Sequence, residues 1–170
     1  RNDSSQGDTG YDAIAFESGD NILFTNVEVT GAAGDGIDMK ATRVAVFNSK
    51  IHDNTRNGVK FWKGGDLVNS FVVNHGGDAA VVFDGGGDYR ILNSLIAYEN
   101  WPNGGSYTMT VGYDQPQDSI NLQIINTAFY NNASSIFISP ATKATVQNCL
   151  FANSVSHEIF AKGEDNSVTD

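Results

Sequence analysis

A six-residue phrase centred on asparagine recurs six times along the chain. Each copy has apolar residues at its first and last positions, Asn at the third and usually a small residue at the fourth. A near-constant period of ~20–25 residues predicts a solenoid, in which each repeat forms one coil and packs against its neighbours. The asparagines are separated by 22, 21, 24, 33 and 22 positions and are Asn26, Asn48, Asn69, Asn93, Asn126 and Asn148.

The alternation of apolar residues predicts that the coils are built from strands. A second phrase, which precedes each Asn phrase, alternates at period two, and Val, Ile and Phe predominate in it. We therefore expect an all-β chain: a right-handed parallel β-helix of about six coils with three short parallel sheets, whose neighbouring strands lie ~4.8 Å apart. One alternating set should point inward, and the outward set carries the chemistry: Glu17, Asp38, Lys40, Lys60, Trp62 and Asp84.

The repeated Asn has a physical reason. A sharp bend between two strands often needs a left-handed backbone, which Asn tolerates better than most residues. Stacked Asn side chains can then hydrogen-bond from coil to coil. The next residue of each phrase is expected to lie in a small buried stack, and this set ends with Cys149, the only cysteine. His52 and His75 are expected at the surface.

The coils predict a single domain over residues 1–170, with a loop insertion at about 101–117 marked by Pro and Gly. No amphipathic helix covers either end of the expected coil stack, and open coil ends are unpaired sheet edges. We therefore expect a segment of a longer chain, or end-to-end self-association through the open coil ends. No stretch approaches the ~18–20 apolar residues of a membrane span.

The charge limits the class of ligand. A formal net charge of −10 argues against a nucleic-acid partner, whose affinity comes mainly from Lys and Arg on phosphates. An acidic polysaccharide would need a bridging cation to bind a chain of this charge.

A group of carboxylates and one amine is expected on the outer face of the first sheet. Asp38 and Lys60 lie 22 residues apart, one coil length, so the fold stacks them as neighbours. Asp35 precedes Asp38 by three residues, and Asp12 is the equivalent of Asp35 one coil earlier. Clustered hard oxygen ligands suit Ca²⁺. The alternative is an ordinary surface ladder of opposite charges, which contributes little stability.

Two segments resemble the signature of the family 9 polysaccharide lyases. These are Asp35-Gly36-Ile37-Asp38 and Asn57-Gly58-Val59-Lys60, within a match covering roughly residues 10–65. The family comprises β-helix pectate lyases with an Asp-Asp-Gly-x-Asp calcium motif and an Asn-Gly-x-Lys segment that bears the catalytic lysine. The resemblance implies that Asp12, Asp35 and Asp38 bind Ca²⁺ and that Lys60 is the base of a β-elimination on a uronic-acid polysaccharide. Gly34 stands where the family motif has its first Asp.

Two other function classes remain open at this point. One is a non-catalytic β-helix that serves carbohydrate binding, adhesion or assembly. The other is a different β-helix sugar enzyme, such as a uronate epimerase or an inverting hydrolase that uses Asp38 and Asp84. An extracellular or cell-surface location is expected. The candidate substrate-binding residues are Lys40, Arg56, Trp62, Lys63 and Asp84.

Overall fold

Short strands wind into successive coils in the computed structural model, which describes residues 11–77, 79–98, 107–116, 118–134 and 136–161 and the backbone of 168–169. The described residues contain no helix, and hence none that could cross a membrane. In chain order the strands are β1 (Ile14–Phe16), β2 (Asp20–Thr25), β3 (Glu28–Thr30), β4 (Ile37–Met39), β5 (Thr42–Phe47), β6 (Lys50–His52), β7 (Val59–Phe61), β8 (Gly65–Val68), β9 (Phe71–Val73), β10 (Val81–Phe83), β11 (Gly87–Leu92), β12 (Leu95–Ala97), β13 (Met109–Val111), β14 (Ile120–Ile125), β15 (Ala128–Tyr130), β16 (Ile136–Ile138), β17 (Thr142–Gln147), β18 (Leu150–Ala152), β19 (Ile159–Ala161) and β20 (Val168–Thr169).

Each coil contributes one strand to each of three parallel sheets. The first sheet has the order β1-β4-β7-β10-β13-β16-β19, the second β2-β5-β8-β11-β14-β17-β20, and the third β3-β6-β9-β12-β15-β18. Each strand from β1 to β17 therefore pairs with the strand three places later in the chain. This confirms the predicted all-β parallel solenoid of about six coils.

Parallel register places equivalent residues of successive coils in columns. On the inward side of the first sheet, Ile37 pairs with Val59 and Met39 with Phe61, and all four side chains are fully buried. The predicted inward set is thus confirmed in the central coils. Phe16 departs from it with 42% of its surface exposed, since β1 is the edge strand of its sheet.

The asparagine bend is confirmed at every copy. All six phrase asparagines adopt the left-handed conformation, with φ between 49° and 56°. Their side chains bond between coils at two described steps: Asn69 Nδ2 donates to Asn48 Oδ1 at 3.3 Å, and Asn126 Nδ2 donates to Asn93 Oδ1 at 3.1 Å. The bend is therefore both a backbone preference and a coil-to-coil contact.

The small residue after each Asn forms the predicted interior stack. The Ser49 N–H donates to Ser70 Oγ at 3.1 Å, the Ser70 N–H to Ser94 Oγ at 3.2 Å, and the Ser94 N–H to Thr127 Oγ1 at 3.4 Å. All four side chains are buried. Cys149 continues the stack but is only half-buried. Its prediction as a core residue therefore holds in part.

A second left-handed corner lies five residues after the first and was not predicted. It has positive φ at Asp53, Asn74, Tyr98, Asn131 and Asn153, and Gly31 takes this place in the first coil. Because four residue types share the position, and Asn occupies only three of the six copies, no single-residue repeat marks it along the whole sequence.

The predicted loop insertion contains a core strand. Met109 and Val111 of β13 are fully buried, as the alternating phrase predicted. Residues 99–106 and 117 lie outside the described residues, as do the segments 1–10 and 162–167 next to the predicted open coil ends. The single-domain boundaries and end-to-end self-association stay predictions.

The corner predicts a difference between two substitutions at one position. Both Asn69→Ala and Asn69→Gly remove the bond to Asn48, but only alanine incurs the left-handed steric penalty. We expect Asn69→Ala to be less stable than Asn69→Gly by about 1 kcal/mol in urea unfolding. Equal stabilities, or a more stable alanine variant, would contradict a strained corner.

Candidate functional site

One outward column of the first sheet runs along the whole coil stack. Ala15 pairs with Asp38 and Asp38 with Lys60, so the two charged residues are direct neighbours as predicted. The column continues through Val82, Thr110, Phe137 and Phe160. Its charged members thus lie at one end and its aromatic members at the other.

Three carboxylates meet at the charged end. Asp12, Asp35 and Asp38 each offer one oxygen, and these oxygens lie within 4.8 Å of one another. Asp35 is only 6% exposed, while Asp12 and Asp38 are half-buried. Oxygens on opposite sides of a Ca²⁺ ion, at ~2.3–2.6 Å from it, are about 5 Å apart. The donor type and spacing of this acidic triad therefore fit Ca²⁺.

Backbone and amide donors fix the acidic triad. The Asp35 N–H donates to Asp12 Oδ1 at 2.7 Å, and both the N–H and Nδ2 of Asn57 donate to Asp35 Oδ1 at 3.0 Å. Asn57 Oδ1 in turn accepts the Ala79 N–H at 3.0 Å. A ladder of side-chain oxygens thus crosses four coils, and Asn57, which was not among the predicted site residues, orients Asp35.

Burial disfavours the ionised form of the acidic triad. Desolvation raises the pKa of Asp35 to about 6, and the negative charges of Asp12 and Asp38 act in the same direction. Desolvation also raises the pKa of Asp38, against the charge of Lys60 and the hydrogen bond from Trp62. A bound cation would offset this crowding of negative charge.

Lys60 lies against an aromatic ring. Its Nζ is 4.6 Å from the centre of the Trp62 ring, within cation–π range, and Trp62 Nε1 donates to Asp38 Oδ1 at 2.9 Å. Within the described ranges, no ion pair joins Lys60 to a carboxylate. The column is therefore not a direct Asp38–Lys60 salt ladder, and the Trp62 indole contacts both groups.

The other predicted basic residues lie around the site. Lys40 Nζ pairs with Glu17 at 2.9 Å on the same sheet. The Arg56 N–H donates to the Gly34 carbonyl at 3.2 Å, so Arg56 lies in the coil directly after the turn that carries Asp35. Lys63 instead lines an open groove of about 1050 Å³ on the outer face of the second sheet, with Asp66 and Arg90. The structure thus brings Lys40 and Arg56 near the acidic triad and places Lys63 on the neighbouring face.

Asp84 is fully buried, which contradicts the expectation that it faces outward. The turn that carries Tyr113 and Asp114 covers it, and Asp84 Oδ1 accepts the Asp114 N–H at 3.2 Å. Oδ2 has no hydrogen-bond partner in the described part of the chain. Burial raises the pKa of Asp84 to about 6, and the negative charge of Asp114 adds to the rise. In this arrangement Asp84 cannot contact a polysaccharide.

His75 is also buried, so its prediction as a surface residue was wrong. Nε2 donates to the Ile51 carbonyl at 3.3 Å, and burial lowers the pKa of His75 to about 4. His52 is half-buried at the surface, where hydrogen bonds to Asp53 and Glu28 raise its pKa. His75 occupies the interior place that Asn54 fills one coil earlier.

Asp12 approaches the backbone of Gly34 closely. A Cβ at this position would lie 2.5 Å from Asp12 Oδ1 and 2.9 Å from the Asp12 backbone nitrogen. No side chain fits there while Asp12 keeps its place. The third carboxylate of the triad is therefore supplied by the preceding coil rather than by residue 34.

The outward aromatic residues of the same sheet were not predicted as a site. Phe137 and Phe160 lie in the outward column, and Tyr107 and Tyr113 flank it. Their signal in the sequence is an aromatic residue at an outward position of the alternating phrase, where the earlier coils have charged residues.

The buried histidine predicts a pH-dependent loss of stability. Neutral His75 contributes its full stability to the folded protein above the pKa of ~6.5 that it has in the unfolded chain. This contribution is lost as the pH falls through the folded-state pKa of about 4. His75→Asn should remove about 2–3 kcal/mol of the stability difference between pH 7 and pH 4 in urea unfolding. The control His52→Asn keeps His75 and should not reduce that stability difference. An unchanged difference in His75→Asn would contradict the burial of a neutral imidazole.

Comparison with known families supports the architecture. Residues 3–169 match the family described as a right handed beta helix region. A search of curated proteins finds no match. The match extends over nearly all of the described coils and identifies the solenoid as a right-handed one. The chain therefore belongs to the right-handed β-helix region family.

Proposed function

We propose that this protein is a Ca²⁺-dependent, polysaccharide lyase-like β-helix that acts on a uronic-acid polysaccharide by β-elimination. The observation that carries the proposal is the acidic triad, whose oxygens lie within 4.8 Å of one another, in register beside Lys60. The motif resemblance to the family 9 lyases points to the same residues.

The acidic triad would hold the cation. Bound Ca²⁺ would neutralise the uronate carboxylate and so favour removal of the neighbouring proton. It would also offset the repulsion between an acidic sugar and a chain of net charge −10. Asn57 keeps Asp35 aimed at the site through two hydrogen bonds of 3.0 Å.

Lys60 would act as the base. Its amine takes the proton from the carbon that bears the uronate carboxylate, the electron pair forms a carbon–carbon double bond, and the bond to the leaving glycosidic oxygen breaks. That oxygen then takes up a proton. Because a lysine must lose its own proton before it can accept one, activity is expected to rise toward alkaline pH. Trp62 positions the amine and Asp38 together, since it contacts both.

Substrate contacts would extend around this centre. Lys40 and Arg56 lie nearest to the acidic triad and are suited to bind further uronate carboxylates, while Lys63 would contact only a substrate that reaches the second sheet. An extracellular or cell-surface location is part of the proposal, because such polysaccharides are encountered there.

A non-catalytic carbohydrate-binding module is the second candidate. The exposed aromatic residues on the same sheet favour it, since aromatic rings serve binding without any base. A hydrolase that uses Asp38 and Asp84 is disfavoured, because the turn at Asp114 covers Asp84.

Product formation tests the lyase proposal. Polygalacturonate, pectin and alginate would each be incubated with the protein from pH ~7 to ~10, with Ca²⁺ or EDTA, and the unsaturated product followed by ultraviolet absorbance. We expect a Ca²⁺-dependent rise that falls by ~10²–10⁴-fold in Lys60→Arg, because the guanidinium keeps the positive charge but stays protonated and cannot accept a proton. Lys50→Arg, an exposed lysine of the third sheet, is the matched control and should retain activity.

Two results would contradict the proposal. Equal rates in Lys60→Arg and Lys50→Arg would exclude Lys60 as the base. Binding of the polysaccharide without product from any substrate would favour the non-catalytic module.

A further inference from the structure

The outward column of the first sheet changes from charged to aromatic along the coil stack. Lys60 is followed in register by Val82, Thr110 and then Phe137. Phe137 therefore lies three strands from Lys60, or ~14 Å at the usual strand spacing. Phe160 follows on the next strand.

Four aromatic side chains form one cluster at this end, which we call the aromatic patch: Tyr107, Tyr113, Phe137 and Phe160. Phe137 is the centre, with ring centroids at 5.2 Å from Tyr107, 5.3 Å from Tyr113 and 6.1 Å from Phe160. Tyr107 also stacks on Phe160 at 6.1 Å and 19°. These separations are those of interacting aromatic pairs.

The aromatic patch is outside the hydrophobic core. Its central ring belongs to β16, whose neighbours Ile136 and Ile138 point inward and are fully buried. Phe137 itself is 8% exposed because the other rings cover it, whereas Tyr113 is 60% exposed. The patch therefore has a buried base and an open, ring-lined surface.

The aromatic patch is continuous with the candidate site. Tyr113 belongs to the turn that covers Asp84, and Asp84 directly follows β10, the strand beside Lys60. The Asp84 N–H donates to the Phe61 carbonyl at 3.0 Å, and the Gly112 N–H donates to the Phe83 carbonyl at 2.7 Å. Consecutive backbone contacts thus connect the Lys60 strand to the Tyr113 turn along one face.

We propose that the aromatic patch is a sugar-stacking subsite for a distal pyranose of the same polysaccharide chain that reaches Lys60. This rests on the proposed function and deepens it, because it makes the ligand a chain of several sugars lying along the coil axis. The C–H face of a pyranose packs on an exposed aromatic ring, and tyrosine adds a hydroxyl that can bond to sugar hydroxyls. An extended glycan fits the geometry because one column of outward positions runs in register from Lys60 to Phe137.

Oligosaccharide length provides the test. Binding of a galacturonate trimer and octamer, and of the matching alginate oligomers, would be measured by calorimetry with Ca²⁺ present. We expect Tyr113→Ala to weaken octamer binding by ~10-fold, with trimer and Ca²⁺ binding unchanged. Tyr113→Phe should retain the octamer affinity within ~3-fold because it keeps the ring. Leu150→Ala, an exposed apolar residue of the third sheet, is the matched control.

The outcomes separate the subsite from the proposed function. Equal octamer affinity in Tyr113→Ala and the native protein would overturn the subsite alone, whatever the lyase assay shows. Octamer binding that needs Tyr113, without any product, would uphold the subsite and reject catalysis. Binding of no oligomer by the native protein would overturn both. Concentration-dependent self-association that is lost in Tyr113→Ala would instead identify the aromatic patch as an interface between copies.

Discussion

Parallel hydrogen bonding between successive coils, in one fixed register, is the constraint on which every other feature depends. It makes residues one coil apart lateral neighbours, so Asp38 lies beside Lys60 and Ile37 beside Val59. Because strand side chains alternate with period two, a slip of one residue would turn Asp38 and Lys60 inward and expose the core. The left-handed asparagine corners hold the register, since each fixes where one strand ends and the next begins. The stability of the coil and the geometry of the candidate site thus have the same origin.

Features that repeat in every coil could be predicted from the sequence. The Asn bend, the Ser/Thr stack and the inward apolar columns all follow from residues at one period, and each depends only on the adjacent coils. Asp84 and His75 could not be placed this way. Asp84 is covered by Asp114, which lies 30 residues further along a coil that departs from the common period. His75 fills an interior place that Asn54 holds one coil earlier, and a change of residue type at a repeat position does not show which way the side chain points.

The candidate site contains residues that are close in sequence and residues that only the stacking of coils brings together. A linear motif can show the first kind but not the second. Asp35 and Asp38 belong to one turn and strand, whereas Asp12 reaches them from the preceding coil and takes the space that a side chain at Gly34 would need. Asn57 and Trp62, from the following coil, orient Asp35 and Asp38. Two successive coils therefore supply the oxygens, and a third coil supplies the donors that orient them. This arrangement explains how a carboxylate triad can be retained while the first Asp of the resembling motif is absent.

Calcium titration calorimetry would show whether the acidic triad binds a cation. The native protein would be compared with Asp38→Asn, which preserves the shape of the side chain and the acceptor for Trp62, and with Asp88→Asn, an acidic residue of the second sheet. We expect one Ca²⁺ per chain, with affinity at least ~10-fold weaker in Asp38→Asn and unchanged in Asp88→Asn. The absence of a binding heat in the native protein, or equal affinity in both variants, would contradict it.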